Sequence, residues 1–280
     1  MKGKKITKPD GNDFQYKVKK ALTDAGWVVR MSPYYNDSFS EKPREIDIIA
    51  EKEFPPVQNS IYRSTVIVRL FVECKYIAES TTFWFESRNI TKAGEVVDST
   101  RSFHDMKMNH EVSIKHHYLS NELIAKLYRT NGKNSADGDP IYKAITQCLN
   151  ATIYYRNRAT ELSGKFKGTH ASAEELNYSV IVCNSFERFI KKDTTSESVA
   201  DEEITTPFQL EVDYAYSTKD TQTEEFFYVD VLSIGDLKAF EENTMFQEVN
   251  LAKQKMSDDH RELEFRRMQS GSSRFDPYYQ

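Results

Sequence analysis

The chain is poor in cysteine, with only Cys74, Cys148 and Cys183 among its 280 residues. These three lie far apart in apolar surroundings, a spacing that predicts reduced core thiols rather than a disulfide framework or a cysteine-based zinc site. No apolar run approaches the roughly 18 residues that a membrane-spanning helix requires. The basic N-terminus lacks the apolar segment of a secretory signal. These absences predict a cytoplasmic protein with no membrane partner.

Two further absences concern nucleotide and nucleic-acid binding. The chain holds no glycine-rich phosphate loop of the G-x-x-x-x-G-K type, so we expect no ATPase activity. It also lacks an excess of positive charge: its net charge of −5 argues against a nucleic-acid coat protein. A nuclease remains compatible, because a local basic patch can bind phosphate while acidic segments elsewhere set the total charge.

Apolar periodicity predicts alternating helices and strands. The first helix is predicted at about 12–25, and Gly26 is expected to end it in a left-handed conformation. The other predicted elements are strands at 27–29, 44–50 and 66–75, a short helix at 120–129, a helix after Asp139 and Pro140, a buried strand at 178–183, a polar loop at 191–206, strands at 208–216 and 226–234, and a helix from 236. This order predicts an α/β fold, with a central mixed sheet of about five or more strands flanked by helices.

Two of the predicted strands carry charge where a buried strand should be apolar. Asp47 lies within the strand at 44–50, and Glu73 and Lys75 lie near the end of the strand at 66–75. Side chains alternate along a strand, so Glu73 and Lys75 point to the same side, and pairing of the two strands brings Asp47 beside Glu73. Neighbouring carboxylates repel each other unless a cation lies between them, and their hard oxygen atoms suit Mg²⁺ or Mn²⁺.

This pattern predicts metal-assisted cleavage of a phosphodiester, in which the metal activates water and Lys75 assists the nucleophile or offsets charge in the transition state. The simpler alternative is a solvated strand end, with a salt bridge from Lys75 to Asp47 or Glu73. The E-x-K spacing alone would not separate the two interpretations. An Asp and an E-x-K on adjacent apolar strands, behind a helix, favour the site.

The same residues carry a resemblance to a known group of nucleases. The helix opens with Gly11-Asn12-Asp13-Phe14-Gln15, Gly26-Trp27 follows it, and the Asp47 strand precedes Val72-Glu73-Cys74-Lys75. Over residues 11–77 the chain resembles the PD-(D/E)xK restriction-endonuclease-like superfamily, and within it the Mrr-like branch. The resemblance implies that Asp47 and Glu73 bind the metal and that Lys75 assists the nucleophile.

The chain departs from the family pattern at two positions. Many members carry a Glu on the first helix, whereas this chain has Gln15, whose neutral amide can hold a metal-bound water but is a weaker ligand. Ile46 also stands where the name-giving motif has Pro directly before the Asp. The first departure leaves the number of metal ions open.

The resemblance implies a single nuclease-like domain over residues 1–280. Its expected parts are a core motif region at 11–77, an insertion at 78–138, a sheet and helix extension at 139–269 and a flexible tail at 270–280. The implied function is a divalent-metal-dependent endonuclease acting on DNA rather than RNA, in restriction or phage defence, with a homodimer or a partner subunit compatible. The alternative is a catalytically inactive nuclease-fold module that binds nucleic acid or a protein.

Other segments carry weaker signals. The largest is a histidine-rich stretch, for which a polar surface is favoured over a zinc site because it lacks an H-E-x-x-H pattern: His104, Asp105, His110, Glu111, His116 and His117. Core packing is favoured over base stacking for Phe83, Trp84 and Phe85. Solvated faces and phosphate contacts explain the following cations equally well: Lys17, Lys19, Lys20, Arg156 and Arg158. Arg44 could grip the scissile phosphate or form a salt bridge.

Overall fold

The computed structural model describes residues 11–37, 42–55, 65–100, 116–133, 138–156, 158, 162, 173–196, 200–217 and 222–269. Its helices are α1 (Gly11–Asp24), α2 (Ile90–Ser99), α3 (His117–Ser120), α4 (Pro140–Tyr155), α5 (Leu237–Ala239) and α6 (Phe246–Gln269). A 3-10 turn, Ile234–Asp236, precedes α5, and a π-helical turn, Phe240–Met245, joins α5 to α6. The 3-10 turn, α5, the π-helical turn and α6 follow one another directly, and we call residues 234–269 the C-terminal helical region.

The strands are β1 (Val28–Met31), β2 (Tyr34–Asn36), β3 (Pro43–Glu45), β4 (Ile48–Phe54), β5 (Thr65–Lys75), β6 (Thr81–Ser87), β7 (Leu123–Thr130), β8 (Ala173–Cys183), β9 (Phe189–Asp193), β10 (Asp201–Glu203), β11 (Phe208–Ser217) and β12 (Gln222–Ser233). Ten of them form one mixed sheet in the order β1-β4-β5-β8-β12-β11-β7-β6-β9-β10, and β2 pairs with β3 in a separate antiparallel ribbon. The fold is therefore α/β, with a large mixed sheet flanked by helices.

The centre of the sheet is parallel and buried on both faces. β5, β8 and β12 run parallel to one another, with antiparallel β4 and β11 on either side of them. The first nine residues of β5 are buried, which explains why this strand is a nearly continuous apolar run in the sequence. Charged side chains in β5 therefore lie inside the protein, and each needs a partner.

Different helices cover the two faces of the sheet. On one face Val68, Leu70 and Val72 of β5 share a core with α1, α2, α5 and α6. On the other face Phe71 packs with the α4 side of the molecule, where Cys148 Sγ donates to its carbonyl. Because side chains alternate along β5, Glu73 and Lys75 belong to the α4 face.

Several predicted elements are confirmed. The helix predicted at 12–25 is α1, and Gly26 follows it with a φ of +85°. The helix after Asp139 is α4, whose first turn donates two amide hydrogen bonds to the Asp139 carboxylate. The strands predicted at 66–75, 178–183, 208–216 and 226–234 are all present, and the helix from 236 is present as the C-terminal helical region. The three cysteines are free thiols, two of them buried.

The helix predicted at 120–129 is wrong, because this segment forms β7. Its neighbours decide the outcome: β7 pairs with β6 and β11, and the buried Arg88 donates hydrogen bonds to the carbonyls of Asn121 and Leu123 at its start. The polar loop predicted at 191–206 is also wrong in part, since it contains β10 and the end of β9. β10 is an edge strand of the sheet and is exposed along its whole length, so its residues are polar.

The insertion predicted at 78–138 contributes β6 and β7 to the main sheet, and the segment predicted to be a tail lies outside the described residues. None of the helices in the described part of the chain is long and apolar enough to cross a membrane.

Candidate functional site

Asp47 lies in a two-residue gap between β3 and β4 rather than inside a strand. Its carbonyl accepts hydrogen bonds from the Ser32 amide (2.9 Å) and from Gln15 Nε2 (2.8 Å), while its own amide donates to Glu73 Oε1 (3.2 Å). These contacts remove the Asp47 backbone from the sheet ladder, so the continuous strand predicted at 44–50 is interrupted here. Ser32, whose amide donates to the Asp47 carbonyl, has a positive φ of 49°.

Glu73 and Lys75 lie on one side of β5 at its C-terminal end. The Glu73 side chain is fully buried, and Lys75 Nζ donates to Glu73 Oε2 at 2.7 Å. The Cys74 amide donates to Asp47 Oδ2 at 2.8 Å and holds the Asp47 carboxylate against the same stretch of β5. The structure therefore brings together Asp47, Glu73 and Lys75, the three residues that the sequence pattern predicts to share a site.

The electrostatics of this group are dominated by burial. Burial raises the pKa of Glu73 to about 8, although the positive charge of Lys75 opposes the shift and the nearby Asp47 adds to it. Burial also raises the pKa of Asp47, against the hydrogen bond from the Cys74 amide. Burial alone would lower the pKa of Lys75, but the charge of Glu73 and its hydrogen bond raise the pKa above its usual value. Lys75 is therefore an ammonium group.

Gln15 reaches the site from α1. Its Nε2 binds the Asp47 carbonyl and lies 3.4 Å from Ser32 Oγ, so its amide group fixes the backbone on which Asp47 is mounted. The resemblance implies that this amide can also hold a metal-bound water, and that role stays a prediction. In the structure the donor end of Gln15 orients Asp47.

Gln147 is a site residue that the sequence analysis missed. It lies on α4, where its Nε2 donates to the Glu45 carbonyl (3.2 Å) and its Oε1 accepts from Lys75 Nζ (3.4 Å). It therefore connects the ammonium group to the backbone just before Asp47. The sequence carries no local signal for this role, because the contact with Lys75 joins residues 72 positions apart.

The donor set fits a hard divalent cation. Asp47 and Glu73 supply carboxylate oxygens, the ligands that Mg²⁺ and Mn²⁺ prefer. Within the described part of the chain no hydrogen bond reaches Asp47 Oδ1, and Lys75 is the one cation in hydrogen-bond contact with either carboxylate. Two carboxylates with raised pKa values and one ammonium group form a site that is short of positive charge.

Most of the other predicted candidates lie away from this site. Phe83 and Phe85 are buried in the core, as favoured, and Trp84 is half-buried between them. Arg156 forms a bidentate ion pair with Glu225. Arg158 donates to the Tyr154 carbonyl, and the half-buried Lys19 lies over the Tyr16 ring.

Arg44, just upstream of Asp47, is exposed and lies 3.6 Å from Asp37 Oδ2. The histidines and acidic residues at 104, 105, 110 and 111 lie outside the described residues.

A second group of ionisable side chains, which we call the histidine cluster, consists of His116, His117, Asp230 and Glu248. His116 Nε2 lies 2.9 Å from Glu248 Oε2, and His117 Nδ1 lies 2.9 Å from Glu248 Oε1. His117 Nε2 lies 3.3 Å from Asp230 Oδ2. His116, His117 and Glu248 present ligand atoms within 4.8 Å of one another, a spacing that a metal ion could bridge.

The hydrogen bonds of the histidine cluster favour protons over a metal ion. His116 Nδ1 accepts from the Tyr118 amide at 3.1 Å, so neutral His116 carries its proton on Nε2 and donates it to Glu248. His117 faces a carboxylate at each ring nitrogen, which suits the doubly protonated ring. The His117 amide also donates to Glu248 Oε1 at 2.8 Å. Each oxygen of Glu248 therefore has a donor already.

The pKa values of the cluster follow from this pairing. Burial alone would lower the pKa of His117, but Asp230 and Glu248 raise it to about 9. Burial alone would raise the pKa of Glu248, but His116 and His117 hold it well below its usual range. Burial lowers the pKa of His116, which favours its neutral form. The cluster thus holds one imidazolium between two carboxylates, and its hydrogen bonds join α3, β12 and α6.

No family model, curated protein or solved structure matches this chain. Its function is therefore inferred from the chemistry of its own residues.

Proposed function

We propose that the chain is a divalent-metal-dependent endonuclease that hydrolyses phosphodiester bonds, with DNA favoured over RNA. The observation that carries the proposal is the pair of carboxylates, Asp47 and Glu73, held at the end of β5 beside Lys75. Burial disfavours the ionised form of both, so two ionised carboxylates need more positive charge here than one lysine supplies. Bound Mg²⁺ or Mn²⁺ supplies that charge, polarises a phosphodiester and lowers the pKa of coordinated water.

Each residue of the site has a distinct proposed role. Asp47 and Glu73 would hold the metal. Lys75 is an ammonium group and so does not take up a proton at neutral pH; it orients the attacking water and offsets negative charge in the transition state. Gln147 positions the Lys75 amine, and Gln15 fixes the backbone that carries Asp47.

The family resemblance supports the same activity. α1 carries Gln15, Asp47 directly precedes β4, and the E-x-K residues end β5, in the order typical of the restriction-endonuclease-like superfamily. We extend the proposal to that superfamily and to restriction or phage defence on this resemblance. Cleavage of both strands of a duplex by one such site per chain would call for a homodimer or a partner subunit.

Incubation of the purified chain with supercoiled plasmid tests the proposal. We expect nicking or linearisation with Mg²⁺ or Mn²⁺, no reaction with EDTA, and no reaction of Lys75→Ala. Lys238→Ala is the matched control, because Lys238 is a highly exposed lysine in the C-terminal helical region. This variant should cleave the plasmid as the wild type does. Circular dichroism checks that both variants fold.

Cleavage that survives in Asp47→Ala, Glu73→Ala and Lys75→Ala alike would contradict the proposal. If neither plasmid nor RNA is cleaved and no Mn²⁺ binds, the inactive module that binds nucleic acid or protein becomes the better interpretation. The ion pair between Lys75 and Glu73, which occupies one metal-facing carboxylate, is the observation that favours that second function.

A further inference from the structure

Tyr35 is a buried tyrosine whose hydroxyl group has no hydrogen-bond partner among the residues that the structure describes. Only 2% of its surface is exposed, and its ring packs in an apolar core cluster that includes Phe71 of β5 and Ala151 of α4. Buried tyrosine hydroxyls usually find a partner, because burial without one costs stability. The buried Tyr118 follows this rule and donates to Asp230 Oδ2 at 3.2 Å. The hydroxyl of Tyr35 therefore needs an explanation.

One hairpin carries both Tyr35 and Asp47. The pairing of β2 with β3 continues to the base of this hairpin, where the Ile46 amide donates to the Pro33 carbonyl (3.3 Å) and the Ser32 amide donates to the Asp47 carbonyl (2.9 Å). Side chains alternate along such a ribbon, so Tyr35 and Ile46 share the face that is buried in the core cluster. The Tyr35 ring is thus mounted on the same backbone as Asp47, on its buried side.

Two observations direct the hydroxyl end of the ring at the candidate site. Phe71, which packs with Tyr35, precedes Glu73 by two residues on the same side of β5. Burial raises the pKa of Tyr35 well above its usual value, and the charge of Glu73 adds more to this shift than the charge of Asp37 does. Because the effect of a charge falls with distance, the Tyr35 oxygen lies at the Glu73 end of the cluster. Tyr35 is therefore a neutral phenol with a proton to donate beside Glu73.

The carboxylate of Glu73 takes its hydrogen bonds from other donors. Its Oε1 accepts from the Asp47 amide at 3.2 Å, and its Oε2 accepts from Lys75 Nζ at 2.7 Å. A buried donor left unpaired beside a group of ionisable side chains indicates an acceptor that arrives with the ligand. Since Tyr35 is so completely buried, that acceptor is a small one, of the size of a single oxygen atom.

We propose that the Tyr35 hydroxyl donates a hydrogen bond to an oxygen atom of the reacting groups at the candidate site, which is the attacking water or a non-bridging oxygen of the scissile phosphate. Lys75 supplies a charged donor there, and Tyr35 supplies a neutral donor whose direction the hairpin fixes. Two donors that come from different elements hold such an oxygen atom in one orientation, which the reaction requires. This inference rests on the proposed function for the identity of the reaction.

Tyr35→Phe tests the inference, because it removes the hydroxyl oxygen and keeps the ring in the core. In EDTA its urea midpoint should equal or exceed that of the wild type, since the lost group has no described partner in the metal-free protein. With Mg²⁺, kcat/KM for plasmid cleavage should fall about ten- to a hundredfold, the effect of losing one hydrogen bond to a charged oxygen. A hydroxyl that served only the fold would give the reverse: a lower midpoint, with kcat/KM per folded molecule unchanged.

The two acceptors differ in which constant changes. If the acceptor is the attacking water, kcat falls while KM and the affinity for inorganic phosphate, measured by calorimetry in Mn²⁺, stay as in the wild type. If the acceptor is a phosphate oxygen, KM rises and the affinity for inorganic phosphate falls about tenfold. Either result supports the inference.

Tyr154→Phe is the matched control, because the Tyr154 ring centre lies 6.3 Å from that of Tyr35. It loses the same atom from a neighbouring ring and should match the wild type in urea midpoint, kcat, KM and phosphate affinity. Kinetic constants and phosphate affinities that are equal in Tyr35→Phe and Tyr154→Phe would overturn the inference. A urea midpoint of Tyr35→Phe below those of the wild type and the control would overturn it as well.

The two proposals fail separately. If the wild type cleaves plasmid and Tyr35→Phe cleaves it equally well, the nuclease function stands and the role of Tyr35 falls. If the wild type binds phosphate in Mn²⁺ but cleaves neither DNA nor RNA, and Tyr35→Phe binds phosphate less tightly, the contact of Tyr35 stands and the nuclease function falls. A wild-type chain that neither cleaves nor binds phosphate would overturn both.

Discussion

The candidate site at the end of β5 and the histidine cluster at β12 each contain two buried or partly buried carboxylates, on opposite faces of one sheet. Glu73 belongs to the α4 face, whereas Asp230 lies between Tyr228 and Leu232, which pack on the side of α1 and the C-terminal helices. In the histidine cluster Glu248 has a pKa well below its usual range, and His117 has a pKa of about 9. At the candidate site the pKa of Glu73 is instead raised, to about 8.

Each cluster has one cation against two carboxylates, and the difference lies in how many hydrogen-bond donors the fold directs at those carboxylates. Glu248 receives hydrogen bonds at both oxygens from two histidines, and its ionised form is favoured. Glu73 and Asp47 share one lysine, and burial disfavours their ionised forms. Buried carboxylates whose oxygens all have donors hold elements together, whereas a pair with an oxygen that receives no hydrogen bond from a described residue, here Asp47 Oδ1, is suited to bind a cation from solution.

The largest expected effect is on plasmid cleavage, which should depend on the candidate site and not on the histidine cluster. Asp47→Asn removes a metal ligand and should lower plasmid cleavage about 10²- to 10⁴-fold, the range for loss of a group that acts in the chemical step. Asp230→Asn, a matched change in the histidine cluster, should leave the rate per folded molecule close to wild type. Equal losses in both variants would remove the distinction between a site and a structural cluster.

The histidine cluster, which should matter little for cleavage, should matter most for stability. Glu248→Ala leaves the charge of His117 buried beside Asp230 alone, and we expect a loss of about 3–5 kcal/mol in the free energy of unfolding. Urea unfolding at pH 6 measures it. Glu242→Ala, at an exposed position in the π-helical turn, is the control and should change little. If Glu248→Ala leaves the free energy of unfolding unchanged, the histidine cluster contributes nothing to stability.

The pH dependence of stability follows from His117. Its folded pKa of about 9 lies above its usual 6.5, so its contribution is fully present below 6.5 and is lost as the pH rises through 9. Wild type should therefore lose about 3 kcal/mol across this window relative to His117→Gln, which cannot titrate. If Zn²⁺ at micromolar concentration instead stabilises the wild type and fails to stabilise His117→Gln, the cluster is a metal site.

Glu73→Gln should stabilise the metal-free protein while removing metal binding. The folded pKa of Glu73, about 8, lies above its usual 4.5, so its contribution is fully present below 4.5 and is lost as the pH rises through 8. At pH 8.5 the uncharged variant should have a free energy of unfolding about 1–2 kcal/mol higher than that of the wild type, measured by urea unfolding. Adding Mn²⁺ should stabilise only the wild type. If the variant is instead less stable than the wild type, the ion pair between Lys75 and Glu73 contributes more to stability than burial of the Glu73 carboxylate costs.

The smallest expected effect concerns Gln147. Gln147→Ala leaves the ligands in place but frees the Lys75 amine, and we expect about a tenfold fall in kcat with KM unchanged, the effect of losing one hydrogen bond to a charged group. Tyr142→Ala on the same helix serves as the control. A change in KM alone would assign Gln147 to substrate binding rather than to positioning.

Much of the fold was predictable from local patterns. The helix that ends at Gly26, the Asp139 cap of α4 and the apolar run of β5 are signals contained in short segments. β7 was not predictable in this way, because its carbonyls are held by Arg88, some 35 residues away, and by strands still farther along the chain. The position of Asp47 in a break between strands depends likewise on Ser32, Gln15 and Glu73.

The residues of the candidate site likewise fall into those that local sequence reveals and those that only distant contacts bring together. Asp47, Glu73 and Lys75 were recognisable in the sequence because charge in an apolar strand is costly and alternation decides which side chains share a face. Gln147 and the partners of His116 and His117 were not, because their contacts join residues about 70 to 130 positions apart. Local sequence determines element type and the faces of each element; only packing of distant segments decides which charges are neutralised and which remain available to a ligand.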